Sequence, residues 1–466
     1  MKQPRNPKGL FEILGLIGII LLIPLFFTMR SLAGPQTQDA TATIQWLTNT
    51  PVGSKGPAVF AAATALPSAS AAVVAAGKEP PACSFPLAQL ATVKPKSAKY
   101  TFSQPKIVLT AAQGNVYRIA EWLPDNRQVL LAENLRNIYV DSNDNAPQQS
   151  ISLFNPETGV SKRYAIRTEI NELPAWQPEL NAVVFPVINY TSIDKKNNVF
   201  VFTRQMWVSY GDPQKAQILA NKLSQLSFAM KPDEGALLYL SDEKLAEKDN
   251  FLRDIASASF DPDQWDYARA RRDERPVSFD MAWQPGTSLI FLYSDGAMRG
   301  GGYTYILNAA TGRICELNLG GWAQVAHWSS DGRYLAFIRS VNYTFPTYSA
   351  ELTLLDSVTG NLTTFHVTPQ QAQEHYVYAF VWAPDNRHLL ALASAPLSKD
   401  NPDGGNALYL IDSVSGQSSS IAPAYRFQTN SPQSMAWSPD GSKIVVACPA
   451  TGAGRVCFIS VQVAGQ

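Results

Sequence analysis

The feature that most constrains this chain is a phrase that occurs seven times, first around Trp122 and last around Trp437. In its clearest copy a short apolar segment ends in Trp437, a Ser438-Pro439-Asp440-Gly441 turn follows, and an apolar run leaves from Lys443. The anchoring positions are 122, 176, 230, 283, 328, 382 and 437, with a Met at 230 and a Trp at the others. A nearly constant period of roughly 50 residues, together with β-type turns, predicts a β-propeller.

Each repeat divides into four predicted strands, named a to d along the chain. Strand a ends at the anchor, the turn reverses the chain, and strand b follows. Pro presets the first turn position, Asp bonds back to the backbone, and Gly or Asn accepts the positive φ. Strand c alternates in polarity and ends in a turn closed by Gly, a hairpin pattern found at 153–159, 306–312, 350–360 and 408–416. Residue types that repeat this regularly indicate packing and turn geometry rather than chemistry.

The turns resemble those of the TolB-type branch of WD-repeat-like β-propellers, whose units carry a Trp-Ser-Pro-Asp-Gly turn and an Asp-x-x-x-Gly exit. The resemblance covers roughly residues 105 to 466, is specific at Trp437 to Gly441 and is loose at Met230 and Trp283. It implies an all-β fold, a seven-bladed β-propeller of four-stranded antiparallel blades. TolB proteins also carry a small α/β domain ahead of the propeller. A different segment stands there in this chain, so TolB's partners are not carried over.

Closure of the ring is predicted from the two ends of the repeat region. After strand c of the last repeat, at 455–461, only Gln462 to Gln466 remain, too few for a fourth strand. Upstream of the first anchor lies an unassigned strand, Lys106 to Ala111. We expect this N-terminal strand to be the outermost strand of the seventh blade, because closure removes unpaired edges.

The N-terminus predicts a membrane anchor. Lys2, Arg5 and Lys8 precede an apolar run over residues 10–27, which at about 1.5 Å per residue approaches the thickness of a bilayer's hydrocarbon core. Residues 1–33 are therefore expected to form a cytoplasmic tip and a transmembrane signal anchor. The chain would be a single-pass membrane protein with its N-terminus in the cytoplasm and its propeller on the extracytoplasmic side. The alternative is a signal peptide cleaved after Ser31-Leu32-Ala33.

Residues 34–104 form a low-complexity Ala/Pro/Thr-rich linker in this interpretation, and residues 105–466 form the propeller. The linker has few large apolar residues with any period, so it is expected to be a mostly disordered stalk.

Net charge bears on the class of partner, and the cysteine content bears on which disulfides can form. Lys plus Arg and Asp plus Glu both number 38, which gives no support for a nucleic-acid partner. The four cysteines could form two bridges in an oxidising compartment. Cys448 and Cys457 are expected to pair, because they lie at the facing ends of strands b and c in the last repeat. Cys83 either pairs with Cys315 or leaves it as a buried free thiol.

Insertions break the repeat on one side only. In a four-stranded blade the b–c and d–a connections emerge on the same face, opposite the Pro-Asp-Gly turns. The b–c insertions lie at Asp141 to Ala146, Asn189 to Asn198, Ser294 to Gly302, Asn342 to Ser349 and Leu397 to Gly405. Loops on a rigid scaffold usually carry binding, so this rim is the expected binding surface. The alternative is that these loops merely vary in length.

The third repeat departs most from the pattern, over Ser241 to Pro276. Glu243 to Ile255 is compatible with a short helix, because Leu245, Leu252 and Ile255 fall on one face. The charged run from Arg269 to Arg275 is either a solvated loop or an element that docks a partner.

Catalytic and metal chemistry have little support, so no catalytic, cofactor-binding or metal-binding residue and no cofactor is assigned. The four histidines, 327, 366, 375 and 388, have no paired spacing, and His327 takes a position that is Ala in four of the seven copies. Oxygen-rich clusters at 141–145 and 400–404 are better explained as turn-forming Asx residues than as calcium sites. There is no Gly-x-Ser-x-Gly elbow and no phosphate-binding glycine loop.

The sequence therefore predicts a non-enzymatic, membrane-tethered, extracytoplasmic propeller that binds an unknown protein or envelope ligand through its loop-rich face. The alternative is a propeller enzyme, a lyase or hydrolase that acts on envelope polysaccharide or peptide. The fold alone does not decide between them.

Overall fold

The structure is a computed structural model. It describes residues 80–90, 98–135, 149–168, 173–194, 199–221, 223–231, 234–241, 244–248, 251–259, 279–294, 303–342, 349–367, 376–394, 406–423, 425, 427, 434–448 and 453–464. Ser192–Val201 belongs to a second compact unit, of which only the ends of two strands are described.

Six antiparallel sheets each contain four strands that pair in chain order. Strands are numbered along the chain, and β1 (Lys99–Phe102) and β2 (Lys106–Thr110) precede these sheets. Blade one contains β3 (Asn115–Trp122), β4 (Val129–Leu135), β5 (Gln149–Phe154) and β6 (Ser161–Thr168). Blade two contains β7 (Ala175–Gln177), β8 (Ala182–Asp194), β9 (Val199–Ser209) and β10 (Gln217–Asn221), and blade three contains β11 (Leu223–Met230), β12 (Leu237–Ser241), β13 (Lys244–Lys248) and β14 (Asp254–Ser259).

The other three blades repeat the same order. Blade four contains β15 (Asp280–Trp283), β16 (Leu289–Tyr293), β17 (Thr304–Asn308) and β18 (Ile314–Glu316). Blade five contains β19 (Trp322–Trp328), β20 (Tyr334–Asn342), β21 (Ser349–Asp356) and β22 (Leu362–Phe365). Blade six contains β23 (Val377–Trp382), β24 (His388–Ser394), β25 (Asn406–Asp412) and β26 (Ser418–Ser420). Two 3-10 turns, Pro178–Leu180 and Pro213–Lys215, lie within blade two.

The remaining sheet closes the ring and differs from the blades. It consists of β27 (Met435–Trp437), β28 (Lys443–Cys448) and β29 (Arg455–Ala464), and both N-terminal strands pair with β29. β2 pairs with its first half, from Thr110 opposite Arg455 to Lys106 opposite Phe458. β1 pairs with its second half, from Phe102 opposite Val461 to Lys99 opposite Ala464. The predicted closing strand is therefore found, and a second strand extends it.

The predicted fold class is corrected by this topology. The repeat predicts seven four-stranded blades, the last of them completed by one N-terminal strand. That expectation is wrong, because the structure has six four-stranded blades and a five-stranded closing sheet. The long last strand explains the difference, since its 10 residues are enough to pair with two separate segments.

In six of the seven seams the first strands of neighbouring sheets lie side by side, which makes these strands the innermost of the ring. β3 contacts β7 on one side and β27 on the other, and the pairs β11–β15, β15–β19, β19–β23 and β23–β27 are likewise neighbours. Apolar clusters fill the seams between sheets. One of them joins Leu390 and Leu392 of blade six to Trp437, Ile444 and Ile459 of the closing sheet.

Glycine permits a close approach between the closing sheet and blade one. Gly454 donates its N–H to the carbonyl oxygen of Asn115 at 2.7 Å. A Cβ at position 454 would lie 2.6 Å from the Cα of Val116, a distance that real Cβ atoms do not show. This seam therefore requires a residue without a side chain.

Both candidate disulfides are present. Cys448 and Cys457 bridge β28 and β29, and Cys83 bridges to Cys315 on the outermost strand of blade four. The Cys83 segment also exchanges main-chain hydrogen bonds with Glu316. Phe85 packs so closely on Gly360 that a Cβ there would lie 2.6 Å from its ring. The expectation of a disordered stalk is therefore wrong for residues 80–90, which pack on blades four and five.

The prediction of a transmembrane anchor is also corrected. Within the part of the chain that the structure describes, no helix has the length and apolar character needed to cross a bilayer. The prediction of a single-pass membrane protein with a transmembrane anchor is therefore not kept. The apolar run 10–27 on which it rested lies outside the described residues.

The short helix considered for the third repeat is also wrong. Lys244–Lys248 and Asp254–Ser259 are strands c and d of blade three. The sequence Lys-Leu-Ala-Glu-Lys of the first strand lacks a strict polar–apolar alternation, so its pattern fits a turn of helix as well as a strand. The charged run 269–275 falls outside the described residues.

Deleting residues 105–112 tests the closing sheet. The deletion removes β2 and leaves the first half of β29 with an unpaired edge, so we expect a fall of several degrees or more in the thermal midpoint. The matched control shortens the exposed outer strand Ser418–Ser420 of blade six, which closes no seam. Equal midpoints for the deletion and the full chain would contradict the role given to β2.

Candidate functional site

The a–b turns are built from the repeated residues and close one face of the ring. Asp125 accepts main-chain hydrogen bonds from Arg127 at 2.8 Å and from Gln128 at 3.1 Å. Asp385 and Asp440 accept equivalent bonds from the residues two positions later, each at 2.9 Å. The Pro-Asp-Gly phrase is thus a turn-forming unit, as its repetition predicted.

The repeated tryptophans bind blades to each other or to their own turns. Trp122, Trp328 and Trp382 donate their indole N–H to main-chain oxygens of the preceding sheet, at 3.0 to 3.1 Å. Trp283 and Trp437 donate instead to the turn that follows them. Each of these indole N–H groups therefore has an acceptor, and none of the five is available for a ligand.

Asn replaces Gly in two turns and adds a bond between sheets. Asn126 and Asn386 have φ values of 57° and 56°, in the left-handed region that Asn tolerates. The side-chain oxygen of Asn126 accepts from the N–H of Asp440 at 2.9 Å, and that of Asn386 accepts from the N–H of Ser330 at 2.9 Å. The turn face is thus held together by contacts between neighbouring turns.

One equivalent position on the innermost strands is occupied by side chains that differ in type and in exposure. In every sheet the residue before the anchor pairs with strand b at the same register position. We call these equivalent residues the inner layer: Glu121, Ala175, Ala229, Ala282, His327, Val381 and Ala436. Each of its alanines is at most 9% exposed. Glu121 and Val381 are half-buried, and His327 is exposed.

Glu121 is a carboxyl group held by one main-chain donor. One of its oxygens accepts the N–H of Trp176, on the innermost strand of blade two, at 2.7 Å. Desolvation by the surrounding protein raises the pKa of Glu121 to about 7, and the Trp176 bond opposes that rise. A carboxyl group that is half ionised near neutral pH is suited to proton transfer or to charge-coupled binding.

His327 is the second ionisable group of the layer. Its ring meets the Phe380 ring edge-on, with centroids 5.4 Å apart. The side chain keeps exposed surface, yet desolvation by the protein around it lowers its pKa to about 4. The imidazole is therefore neutral at physiological pH. In the sequence His327 is distinguished only by taking a position that is Ala in four of the seven copies, and the shared register with Glu121 shows that both lie in one layer.

The turn face is uniform in the length of its connections. Its a–b connections run from the shortest at 178–181 to the longest at 123–128 and 231–236. Its c–d connections are just as similar, with the longest at 210–216. No described turn on this face therefore carries an insertion.

The opposite face, which we call the loop face, carries the b–c and d–a connections and varies in length. Its b–c connections range from 242–243 in blade three to 136–148 in blade one. Its d–a connections range from the single position between Asn221 and Leu223 to the long span between Ser259 and Asp280. Length variation is thus confined to the loop face.

Most insertions predicted to form this surface lie outside the described residues, including those at 141–146 and 397–405. The insertion at Asn189–Asn198 is an exception and a correction. Much of it is strand, because β8 runs to Asp194 and β9 begins at Val199. It lengthens a hairpin rather than forming a free loop.

Tyrosines lie at the base of the loop face beside blade six. Tyr376 and Tyr378 have ring centroids 4.3 Å apart, at the entrance to β23, and both are half-buried. Tyr425 lies 4.9 Å from the ring of Phe427, which hydrogen-bonds through its main chain to Asn406 at the start of β25. Half-buried tyrosines beside variable loops are the side chains that binding surfaces favour.

The other histidines do not form a metal site in the described part of the chain. His388 hydrogen-bonds Asp385 at 2.6 Å, and its ring meets Tyr100 of β1 edge-on at 5.4 Å. Among the described residues no group of three His, Cys, Asp or Glu side chains could hold an ion. His375 and the Asx clusters at 141–145 and 400–404 lie outside those residues.

Comparisons with known proteins give structural likeness without a family. No family model matches the chain, and no curated protein matches it. The β-propeller domain of the Trilobed protease from Pyrococcus furiosus is 12% identical, covers 76% of this chain and 95% of its own, and has a TM-score of 0.45. TolB from Acinetobacter baumannii is 12% identical, covers 68% and 78%, and has a TM-score of 0.35. Oligogalacturonate lyase from Vibrio parahaemolyticus is 9% identical, covers 78% and 97%, and has a TM-score of 0.45.

At these scores the likenesses carry no argument about activity. The assignment rests on the sheet topology: four-stranded sheets with adjacent first strands, closed by pairing between the two ends of the described chain. The protein is a β-propeller. The finer resemblance to the TolB-type branch is not shown by the comparisons.

The raised pKa of Glu121 predicts how stability depends on pH. Glu121 titrates near 4.5 when unfolded and near 7 when folded, so its contribution is full below about pH 4.5 and is lost as pH rises through 7. Glu121→Gln removes this loss. We expect its stability relative to the wild type to improve by about 2 kcal/mol between pH 5 and pH 8, measured by urea unfolding. Glu179→Gln, on an exposed residue, is the control. No relative gain at pH 8 would contradict the assignment.

Proposed function

We propose that this β-propeller is a binding scaffold that docks a protein or other macromolecular ligand on its loop face. The observation that carries the proposal is the one-sided variation in connection length, which is wide on the loop face and narrow on the turn face. Turns that are similar in length and bonded to one another maintain the ring. Connections that vary on a rigid ring are free to specialise for recognition.

The tyrosines beside blade six support a binding role. Tyr378 and Tyr425 pack on the apolar cluster between blade six and the closing sheet, so the core restricts their rings. Restricted aromatic side chains lose little conformational entropy on binding, which favours them as anchors. The Trp-Ser-Pro-Asp-Gly turn at Trp437 to Gly441 further supports placing the chain with TolB-type propellers, as part of this proposal.

The second candidate function is an enzyme. Glu121, with a pKa of about 7, and the neutral His327 occupy one layer of the innermost strands and are the groups that favour it. Catalysis usually needs a nucleophile, an acid and a base that converge on one pocket. Within the described residues these two groups lie on well-separated sheets, which supports binding over catalysis.

A loop-exchange experiment tests the proposal. In the variant, the connection 395–405 of blade six is replaced by the shorter connection 343–348 of blade five, which spans equivalent strands. The control carries Val414→Ser, an exposed position on a c–d turn. Crosslinked partners captured by wild-type protein should be captured equally by the control and lost, by tenfold or more, from the exchange variant.

Partner capture that is unchanged by loop exchange, with equal melting temperatures for all three proteins, would contradict docking on this part of the loop face. Turnover of polysaccharide or peptide by the purified protein that is abolished by Glu121→Gln would favour the enzyme instead.

A further inference from the structure

One segment of the chain shows what the outer rim of the ring can bind. Residues 81–88, which we call the docked segment, precede the strands of the ring and contact the c–d turn of blade five. The N–H of Leu87 donates to the carbonyl oxygen of Ser357 in this turn at 2.8 Å. The ring of Phe85 lies against Gly360, the last residue of the same turn. The turn is therefore a peptide-binding surface that the chain itself occupies.

The contact with Phe85 requires glycine at position 360. Gly360 has a φ of 77°, in the left-handed region that favours glycine. A Cβ at this position would lie 2.6 Å from an atom of the Phe85 ring. An aromatic ring can thus lie on the turn only while this residue has no side chain.

The c–d turn of blade six has nearly the same sequence and the same hydrogen bonds. Residues 412–416 read Asp-Ser-Val-Ser-Gly, and residues 356–360 read Asp-Ser-Val-Thr-Gly. In both turns the glycine N–H donates to the main-chain oxygen of the aspartate at 2.8 Å, and the first serine N–H donates to an arginine carbonyl oxygen at 2.9 Å. These arginines, Arg333 and Arg387, also form ion pairs with the two aspartates. The two turns therefore present the same main-chain groups.

Only one of the two turns is covered by another segment among the described residues. Gly360 is half-buried, whereas Gly416 is exposed, and a Cβ at position 416 would meet no described atom within 4 Å. Ser357 is 0% exposed, whereas Ser413 is half-buried. Blade six thus has an open copy of a surface that binds a segment in blade five.

The strand beside each turn is repeated as well. The docked segment also exchanges two main-chain hydrogen bonds, each of 2.9 Å, with Glu316 of β18 on blade four. For blade six the equivalent strand is β22 of blade five, because Ile314 and Leu362 both pair with the last apolar residue of strand c. Ile314 is 2% exposed and Leu362 is 38% exposed. The same position is therefore covered on blade four and exposed on blade five.

The apolar surface behind the two turns is also equivalent. Leu87 of the docked segment packs against the cluster that contains Leu317 and Leu319, which follow β18. Phe365 and Val367 hold the equivalent positions at the end of β22 and belong to the cluster between blades five and six. The seam between these blades thus offers apolar contacts to a second segment.

We propose that the c–d turn of blade six and the adjoining β22 bind a segment of a partner protein that carries the arrangement Phe-x-Leu of residues 85–87. The aromatic ring lies on Gly416, the N–H of the third residue donates to the carbonyl oxygen of Ser413, and the apolar side chains cover Leu362. In this mode of recognition main-chain hydrogen bonds supply affinity, and the side chains supply specificity.

The partner is a different protein rather than a second copy of this chain. In each copy the docked segment is tied to its own blade four by the Cys83–Cys315 bridge, so it is not available to a neighbour. The c–d turns belong to the turn face, opposite the variable connections. The site is therefore separate from the loop-face proposal and does not depend on it.

A peptide tests the proposal on the full chain with both disulfides intact. Its sequence is that of residues 81–90 with Cys83→Ser, so it cannot exchange with the native bridge. Fluorescence anisotropy of the labelled peptide gives its affinity. A second version carries photoreactive benzoylphenylalanine in place of Phe85, and mass spectrometry of the crosslinked protein locates the residues that the ring contacts. The peptide with Phe85→Ala is the control probe.

Two variants with the same substitution make the result specific. Gly416→Asn places a side chain where the ring would lie, and Asn tolerates the φ of 72° at this position, as Asn126 and Asn386 do in other turns. Gly159→Asn makes the same change in the c–d turn of blade one, where the glycine φ is 74° and the turn sequence is Asn-Pro-Glu-Thr-Gly. Melting curves confirm that both variants are folded.

The expected result is saturable peptide binding, with crosslinks in residues 412–417 and a loss of affinity of about tenfold or more for Gly416→Asn and for the Phe85→Ala peptide. Gly159→Asn should bind the peptide as the wild type does. The proposal is overturned if the peptide does not bind, if the two variants bind it equally, or if crosslinks form outside blade six and β22. Self-association of the wild-type chain that Gly416→Asn abolishes would identify a second copy as the occupant, and would also overturn it.

The loop-exchange experiment is independent of this test. Exchange of the connection 395–405 does not alter the c–d turn, and Val414→Ser keeps the turn glycine and its carbonyl groups. The two proposals therefore fail separately.

Discussion

The pairing of β29 with strands from the other end of the described chain is the interaction on which the rest of the structure depends. Each blade buries its faces mainly against neighbouring sheets, so an open ring would expose two apolar faces and two strand edges. β29 prevents this by pairing with β28 on one side and with both β1 and β2 on the other. The Cys448–Cys457 bridge and the close approach of Gly454 to blade one reinforce the same sheet. Joining residues this far apart along the chain costs conformational entropy. The apolar contacts between sheets that form when the ring closes offset this cost.

The closed ring has two faces, and their connections differ in how far they vary in length. The turn face is constrained because its turns bond to one another, as when Asn126 accepts from Asp440 and Gln284 donates to the oxygen of Gly332. The connections of the loop face differ widely in length. Hydrogen bonds between neighbouring connections, like those of the turn face, would not permit this variation. Between the two, the innermost strands set a register that places Glu121 and His327 in one layer. The repeated residues thus maintain the scaffold. Function is expected at positions where one sheet differs from the others.

Much of the fold was predictable because turn chemistry repeats along the chain. Trp437 and its Pro-Asp-Gly turn mark strands a and b, and the Cys448–Cys457 bridge follows from the positions of those two residues on facing strands. β1 was missed because a short strand with no turn partner carries no periodic signal, and because the last strand, expected to end at 461, continues to Ala464 and so offers β1 an edge. Strands c and d of blade three were missed because Lys244–Lys248 has no strict polar–apolar alternation. The Glu121 layer was missed because its members lie far apart along the chain and meet only through register.

The central claim is that the closing sheet holds the ring together, and hydrogen exchange of its amides tests this most directly. If the claim is correct, the amides of β29 exchange only through global unfolding, with a free energy of opening equal to that of urea unfolding and equal to that of β24 in the middle of blade six. The outer strand β26 should exchange through local opening of lower free energy, since its residues are exposed. Exchange of β29 through an opening that leaves β24 protected would contradict the claim, because the ring would then persist without its closing sheet.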